Sequence, residues 1–206
     1  ELSAFFFDIR KDSLYCDSNN SLSVNSSKTV MSFLFENLIC WLSPILPFTT
    51  EEAWQSWREE IDNGVASSCH LLTNQELPSN WNDKKLEKNW KNILELRDAF
   101  LFFHEKMRNA KEIKSTMEAD VSFFFKEKNL KDIAGIKNFS EILICSNVSI
   151  SDELDKDFEE YKENKNVFVK IKKIDGYKCP RCWKIFKDKF QNELCVRCEK
   201  VIDENF

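Results

Sequence analysis

Apolar side chains recur at helical spacing through most of the first 113 residues. Between these stretches, residues 16–27 and 65–81 are polar and rich in turn-forming residues, which predicts loops. The pattern predicts four helices, over residues 1–15, 28–43, 49–61 and 83–113. Helices joined by loops of short to medium length usually pack side by side, so we predict an antiparallel helix bundle in this part of the chain.

Local signals indicate where two of these helices end or begin. Pro44 disfavours helical geometry in the residue before it, so the second helix should end at Ser43. Thr49 is a good N-cap for the third helix, and Glu52 would complete a capping box with it. Capping also accounts for the adjacent pair of Glu51 and Glu52, which we therefore do not interpret as a catalytic pair.

The period of the pattern changes after residue 113. Residues 118–125, 141–148 and 166–174 have the composition and alternation of strands, and residues 126–136 between the first two favour a short helix. Residues 151–164 are strongly acidic and read as a linker. This part of the chain is therefore predicted to be a small α/β module.

Four of the eight cysteines form a regular pattern near the end of the chain. They are spaced C-x2-C-x12-C-x2-C and comprise Cys179, Cys182, Cys195 and Cys198. Each C-x2-C turn directs two sulfurs at one ion, and two such knuckles complete the tetrahedron of structural zinc. Thiolates select zinc or iron–sulfur over magnesium or calcium. A redox pair is the alternative for a single C-x-x-C, but two pairs at this spacing favour one structural Zn²⁺ per chain, with no position left for a catalytic water.

These elements predict a mainly α fold, in which an antiparallel helix bundle is followed by a small α/β module and a C-terminal zinc ribbon. We predict three domains: residues 1–113 as the bundle, 114–174 as the module with its acidic linker, and 175–206 as the ribbon. The other cysteines lack a spacing pattern and are expected to be reduced thiols: Cys16, Cys40, Cys69 and Cys145.

The ribbon is basic although the chain is acidic. Residues 165–200 carry 11 Lys and Arg against 4 Asp and Glu, whereas the whole chain has a net charge of −5. A basic patch of this kind attracts phosphates. We predict that the ribbon binds tRNA through Arg181, Trp183, Lys184 and Arg197. Trp183 either stacks on an unpaired base or covers the small core of the ribbon, and any single lysine is better explained as a solvated side chain.

Other candidates have simpler explanations. Arg97 lies on the apolar stripe of the fourth helix. It is either a buried partner for a carboxylate or a helix end, which we favour, or an RNA contact. Arg10 and Lys11 either bind phosphate or favour the negative end of the first helix. His104 fits a packed helical position better than a ligand position.

Four blocks resemble the C-terminal region of bacterial isoleucyl-tRNA synthetases and occur in the order found there. They are LSAFFFDIRKDSLYCD (2–17), LSPILPFTTEEAW (42–54), NWKNILELRDAF (89–100) and KCPRCW (178–183). The resemblance implies a helical anticodon-binding domain and a terminal zinc ribbon. It also implies a parent enzyme that joins isoleucine to isoleucine tRNA with ATP and Mg²⁺.

The ATP-site motifs of that family, His-Ile-Gly-His and Lys-Met-Ser-Lys-Ser, do not occur in the 206 residues. We therefore expect the chain to be a fragment that is inactive alone, with ATP and Mg²⁺ confined to an absent catalytic core. Two positions depart from the family pattern. A paired arginine is missing near Asn25 and Ser26, which removes possible phosphate contacts, and Lys114 replaces a glycine, which puts a tight turn in doubt.

Two further readings remain open. The ribbon is a structural element that packs on the synthetase body without touching a base, or it belongs to a DNA-binding glycosylase-like enzyme. The second does not fit the long helical blocks. No apolar run approaches the roughly 18 residues of a membrane helix, and no signal-peptide pattern is present, which predicts a cytoplasmic protein without membrane contact. We expect it to be a monomer.

Overall fold

The computed structural model describes residues 2–60, 65–127 and 139–205, which form two compact units. One unit is Asn19–Asn82, and the other joins Glu1–Ser18 to Asp83–Phe206. The antiparallel bundle and the three-domain division stay predictions, because the second and third helices belong to a different unit from the first and fourth. The predicted helix of residues 126–136 lies almost wholly outside the described residues.

Two helices build the Asn19–Asn82 unit: α2, Leu22–Leu42, and α3, Pro47–Glu59. Helix α2 begins at Leu22 and not at residue 28, because the Ser21 side chain caps it by accepting a hydrogen bond from the Val24 N–H at 3.2 Å. It ends at Leu42, as Pro44 predicts.

The predicted N-cap of the third helix is wrong. Helix α3 begins at Pro47, so Thr49 already lies in its first turn. Thr49 and Glu52 do not form the predicted capping box. Proline suits this position because its fixed φ is helical and it has no N–H to leave unpaired. The core beneath α3 is centred on Trp54, which is 1% exposed and donates its indole N–H to the Ala66 carbonyl at 2.9 Å.

The larger unit begins with a π-helical segment, Leu2–Phe7, that continues into α1, Asp8–Cys16. Its long helix is α4, Lys84–Asn109, where Asp83 accepts hydrogen bonds from the N–H groups of Lys85 and Leu86 as the N-cap. The apolar stripe predicted for this helix is buried only in part, because Ile93, Phe100 and His104 are buried whereas Leu86 and Leu94 are exposed. The helix packs on the sheet through Ile93, Leu96, Phe100 and Phe103.

A four-stranded mixed sheet has the order β2-β1-β4-β3. Its strands are β1, Ala119–Phe125; β2, Asn147–Ile150; β3, Glu159–Glu160; and β4, Val167–Lys173. Strands β1 and β2 are parallel, and the other neighbours are antiparallel. The residues of β1 alternate between buried and half-buried positions, so one face of the sheet carries the core.

Residues 141–148 are only partly the strand that was predicted. A short helix, α5, covers Phe139–Leu143, and Ile144 with φ 57° lies between it and β2. A short apolar run does not distinguish a buried helical turn from a buried strand, which explains the error. The acidic segment also contributes structure, because β3 pairs with β4.

The cysteine region forms a two-stranded hairpin and a helix: β5, Tyr177–Lys178; β6, Ile185–Phe186; and α6, Val196–Asn205. Gly176 allows the hairpin to close, because a Cβ there would lie 2.1 Å from the Phe186 carbonyl oxygen. None of the helices in the described ranges has the length and apolar character needed to cross a membrane.

Candidate metal centre and nucleic-acid interface

The two cysteine knuckles are shaped by tight backbone turns. In the first, the Cys179 N–H donates to the Lys184 carbonyl and the Trp183 N–H donates to the Cys179 carbonyl, both at 2.9 Å. In the second, Cys195 precedes α6, and its carbonyl accepts from the Glu199 N–H at 3.0 Å. Each knuckle thus turns a pair of sulfurs toward the same point.

The four sulfurs predicted as metal ligands lie together. The Sγ atoms of Cys179, Cys182, Cys195 and Cys198 are all within 4.8 Å of one another, and all four residues are buried. Cys182 Sγ lies 3.7 Å from Cys195 Sγ. Tetrahedral zinc with Zn–S bonds of about 2.3 Å separates its sulfurs by about 3.8 Å, so the spacing fits the ion. The cluster can therefore hold a metal ion and is consistent with zinc.

The cysteine thiols are not equally acidic. Burial favours the neutral Cys179 thiol, but backbone N–H groups around it outweigh burial and lower its pKa from 9.0 to about 6. Burial raises the pKa of Cys182 and of Cys195. Four buried thiolates repel one another, so a dication at their centre supplies the compensating charge.

The first knuckle docks on the end of α1. The Arg181 guanidinium donates from Nη1 to the Cys16 carbonyl at 2.7 Å and from Nη2 to the Tyr15 carbonyl at 3.0 Å. Carbonyls in the last turn of a helix have no partner within the helix, so Arg181 caps α1 from a distant part of the chain.

The second knuckle docks on the middle of α1. Arg197 donates to both carboxylate oxygens of Asp12, at 2.7 and 2.8 Å, and its Nη1 lies 3.4 Å from Asp17 Oδ1. Lys184 Nζ lies 3.6 Å from Asp12. Burial alone would raise the pKa of Asp12, but the Arg197 hydrogen bond and the nearby positive charges lower it below its ordinary value.

Trp183 differs from the three cations, because it faces solvent. It is 62% exposed, and Lys178 Nζ lies 5.3 Å from its ring centroid. The cysteine core is covered by Phe186, Phe190 and Leu194. Thus the structure does not bury Trp183 as a cover for the ribbon, and it brings Arg181, Lys184 and Arg197 together against α1.

Asp12 and Ser146 both contact the ribbon, and the sequence singled out neither of them. Ser146 accepts a hydrogen bond from the Ile185 N–H at 2.8 Å and donates to the Met117 carbonyl at 2.6 Å, which ties the ribbon to the module. No local signal distinguishes such residues, because their partners are far away in the sequence. Asp12 shows only the helical spacing common to many surface carboxylates.

The remaining candidates have structural partners. Arg97 donates to the Ile142 carbonyl near the end of α5 and stacks over Phe5, 5.5 Å from the ring centroid, so it is a partner for a helix end. Arg10 lies 3.9 Å from the buried Glu141 carboxylate. His104 is buried on α4, and burial lowers its pKa.

A second group of possible metal ligands lies in the Asn19–Asn82 unit. Ligand atoms of Glu51, Cys69 and His70 lie within 4.8 Å of one another. The Glu51 carboxylate already accepts hydrogen bonds from the Gln55 side chain at 2.7 Å and from Ser68 Oγ and the Cys69 N–H at 2.9 Å. Glu51 therefore clamps the loop at Ser68 and Cys69 to α3.

Comparisons with known proteins agree with the geometry. A model of the anticodon-binding domain of tRNA ligase matches residues 1–123. Isoleucine–tRNA ligase of Brachyspira hyodysenteriae is 38% identical over 98% of this chain and 22% of its own length. That of Agrobacterium fabrum is 39% identical over 91% of this chain and 19% of its own length. The isoleucine–tRNA ligase of Pelagibacter ubique is 36% identical over 98% of this chain and 20% of its own length.

The chain thus spans about a fifth of the length of these curated relatives. The two matches that cover 98% of the chain include the ribbon as well as the helices. The chain belongs to the family of tRNA ligase anticodon-binding domains, and it corresponds to the C-terminal region of bacterial isoleucine–tRNA ligases.

Proposed function

We propose that this chain is the tRNA-binding part of an isoleucine–tRNA ligase. It holds the anticodon arm of isoleucine tRNA while a catalytic core outside this chain performs aminoacylation with ATP and Mg²⁺. The observation that carries the proposal is the docking of a basic cysteine ribbon on the first helix of an anticodon-binding domain, through Arg197 and Asp12. In this role the enzyme works as a monomer in the cytoplasm.

Zinc has a structural part in this proposal. Cys179, Cys182, Cys195 and Cys198 would hold one Zn²⁺, whose binding supplies the folding free energy of the ribbon. A closed set of four thiolates has no position for a reactive water. The ribbon therefore contributes shape and charge to tRNA binding.

We propose two kinds of tRNA contact. Trp183 is exposed and aromatic, and it suits stacking on an unpaired base. Arg181, Lys184 and Arg197 suit phosphates of the tRNA backbone. A guanidinium has five N–H donors, so hydrogen bonds to α1 leave further donors for an anion.

A structural role of the ribbon is the second candidate function, and a specific observation favours it. Arg181 and Arg197 hydrogen-bond to backbone and carboxylate groups of α1, which is what a ribbon that only packs on the protein body requires. In that case no residue of the ribbon contacts a base.

Binding of anticodon stem-loop RNA to the zinc-loaded chain tests the proposal. We expect the isoleucine stem-loop to bind more tightly than one from another tRNA. The logarithm of the association constant should fall linearly with the logarithm of salt concentration, because phosphate contacts release counterions. Equal affinity for the two RNAs at low salt would contradict the proposal.

Alanine variants distinguish the two candidate functions. If the ribbon contacts RNA, Trp183→Ala weakens binding by about tenfold while the melting temperature stays near that of the wild type. If the ribbon is only structural, Arg181→Ala and Arg197→Ala lower the melting temperature and Trp183→Ala leaves RNA affinity unchanged.

A further inference from the structure

The second group of possible metal ligands, in the Asn19–Asn82 unit, combines three kinds of side chain. Ligand atoms of Glu51, Cys69 and His70 all lie within 4.8 Å of one another. Carboxylate, thiolate and imidazole are the side-chain groups that bind Zn²⁺ in proteins. Thiolate and imidazole also select transition metals over magnesium and calcium. The group therefore has the chemistry of a site for a divalent transition-metal ion.

The spacing of these atoms is close to that of a tetrahedral site. Bonds of about 2.0 to 2.3 Å to oxygen, nitrogen and sulfur place the ligand atoms of a tetrahedron about 3.4 to 3.6 Å apart. Because no two of the three atoms are more than 4.8 Å apart, each pair has to approach by at most about 1.4 Å. Rotation about side-chain bonds is sufficient for movements of this size. An ion can therefore bind while the backbone keeps its place.

The Glu51 carboxylate is held in position by its neighbours. Its Oε1 accepts a hydrogen bond from Gln55 Nε2 at 2.7 Å, and its Oε2 accepts from Ser68 Oγ and from the Cys69 N–H, both at 2.9 Å. These bonds use three of about four lone-pair positions of a carboxylate. Hydrogen bonds of this kind commonly fix ligating carboxylates in metal sites. The clamp between α3 and the loop would therefore support an ion.

The other two side chains differ in their access to solvent. Cys69 is 1% exposed, and its thiol contacts the Glu51 carboxylate and lies 3.6 Å from Thr50 Oγ1. An ion would take the place of the thiol proton, because cysteine binds metals as the thiolate. His70 is exposed, and its ring forms no hydrogen bond within the part of the chain that the structure describes. The imidazole can therefore close over an ion that enters from solvent.

We propose that Glu51, Cys69 and His70 bind one divalent transition-metal ion of the zinc class, with water in the fourth position. Zinc sites with three protein ligands and one water are well known. The site lies within one unit, so it depends neither on the ribbon nor on the proposed tRNA binding. The ion would join α3 to the loop at Cys69 and would stabilise the folded unit by mass action.

The affinity of this site should be lower than that of the ribbon. Three ligands, one of them exposed, hold an ion less firmly than four buried thiolates. The chain purified without added metal should therefore carry only the ribbon ion. The second ion should bind when the metal is in excess.

Titration of the full chain with Co²⁺ tests the proposal, after the ribbon has been filled with Zn²⁺, a d¹⁰ ion without d–d absorption. The wild type should bind one further Co²⁺ per chain and should gain a thiolate-to-Co²⁺ charge-transfer band. Cys69→Ser should lose this band. Cys40→Ser is the matched control and should keep it, because Cys40 lies outside the group although its thiol donates to the Leu72 carbonyl at 3.7 Å.

His70→Ala provides a second variant that leaves the core intact, because His70 is exposed. It should weaken Co²⁺ binding by at least about tenfold, since even the loss of a residue that only supports a metal ligand has an effect of this size. Excess Co²⁺ should also raise the melting temperature of the wild type but not that of Cys69→Ser. A band of equal size in the wild type and Cys69→Ser would locate the Co²⁺ in the ribbon and overturn the proposal. Equal Co²⁺ affinity of the wild type and His70→Ala, or no band with excess Co²⁺, would also overturn it.

Discussion

Arg197 and Asp12 are 185 residues apart in sequence and are joined by two hydrogen bonds of 2.7 and 2.8 Å. A two-pronged arginine–carboxylate pair fixes direction as well as distance. It therefore sets the orientation of the ribbon on α1, and Arg181 and Lys184 reinforce it. Three of the residues predicted as RNA contacts thus also attach the ribbon to α1.

Removal of Asp12 should weaken this docking. We expect Asp12→Ala to lower the free energy of unfolding of the zinc-loaded chain by about 2 kcal/mol, because Arg197 loses its partner in a partly buried position. Calorimetry or denaturant titration measures the change. Asp8→Ala is the matched control, because Asp8 pairs with Lys11 at the surface of the same helix and should cost less than about 1 kcal/mol.

The double variant Asp12→Ala/Arg197→Ala separates the pair from its surroundings. We expect it to cost clearly less than the sum of the two single variants, since each single change already removes the same interaction. Strict additivity would show that the two side chains act independently.

Metal removal should unfold the ribbon selectively. The chain is expected to bind one Zn²⁺, and Cys198→Ser or a strong chelator should abolish binding, because four thiolates are needed to complete the site. Hydrogen exchange would then show loss of protection in β5, β6 and α6. Cys40→Ser should keep the zinc, because Cys40 lies in the other unit, and loss of metal in this variant would contradict the assignment.

Glu51 should stabilise the Asn19–Asn82 unit near neutral pH and lose this effect in acid. Hydrogen bonds from Gln55 and from the N–H and side chain of Cys69 lower the pKa of Glu51 from 4.5 to about 2. A lowered carboxyl pKa stabilises the folded state above the ordinary value, and this contribution is lost as the pH falls from about 4.5 to 2. The stability difference between the wild type and Glu51→Gln should therefore be largest above pH 5 and shrink toward pH 2.

Glu52→Gln is the control for this pH dependence, because Glu52 is the next residue of the same helix and is exposed. Its effect on stability should stay small across the range. A Glu51→Gln difference that does not change between pH 5 and pH 2 would be inconsistent with the clamp.

The packing of α4 on the sheet can be tested at two phenylalanines. Phe100 is completely buried, whereas Phe102 on the same helix is 54% exposed. We expect Phe100→Ala to cost about 4 kcal/mol of unfolding free energy through the cavity it leaves. Phe102→Ala should cost much less, and equal losses in denaturant titrations would show that α4 faces the sheet differently.

The sequence predicted those parts of the fold that depend on neighbouring residues. Strands β1 and β4 and the helix α4 follow from periodicity, and the cysteine pairs follow from the chemistry of a tetrahedral ion. The errors in the helix boundaries arise because another nearby residue also favours a helix start. Pro47 begins α3 ahead of Thr49, and Ser21 begins α2 well before the apolar run.

Other features could not be predicted because they depend on tertiary contacts. The partnership of Asp12 with Arg197 and the burial of Glu141 beside a cavity arise only when α1, α5 and the ribbon meet. The same holds for Trp183, whose spacing after Cys182 allows either exposure or burial. Spacing predicted the four cysteines that could hold a metal ion, whereas the contacts around them became visible only in the folded chain.

The contact of Arg181 with the carbonyls of Tyr15 and Cys16 has a consequence for folding during synthesis. The end of α1 is capped by Arg181, which is synthesised about 8 to 33 s after Tyr15 and Cys16 at ordinary rates of translation. Until then the Tyr15 and Cys16 carbonyls lack this partner. If zinc binding folds the ribbon, α1 can therefore be capped by Arg181 only after the ribbon has bound its metal ion.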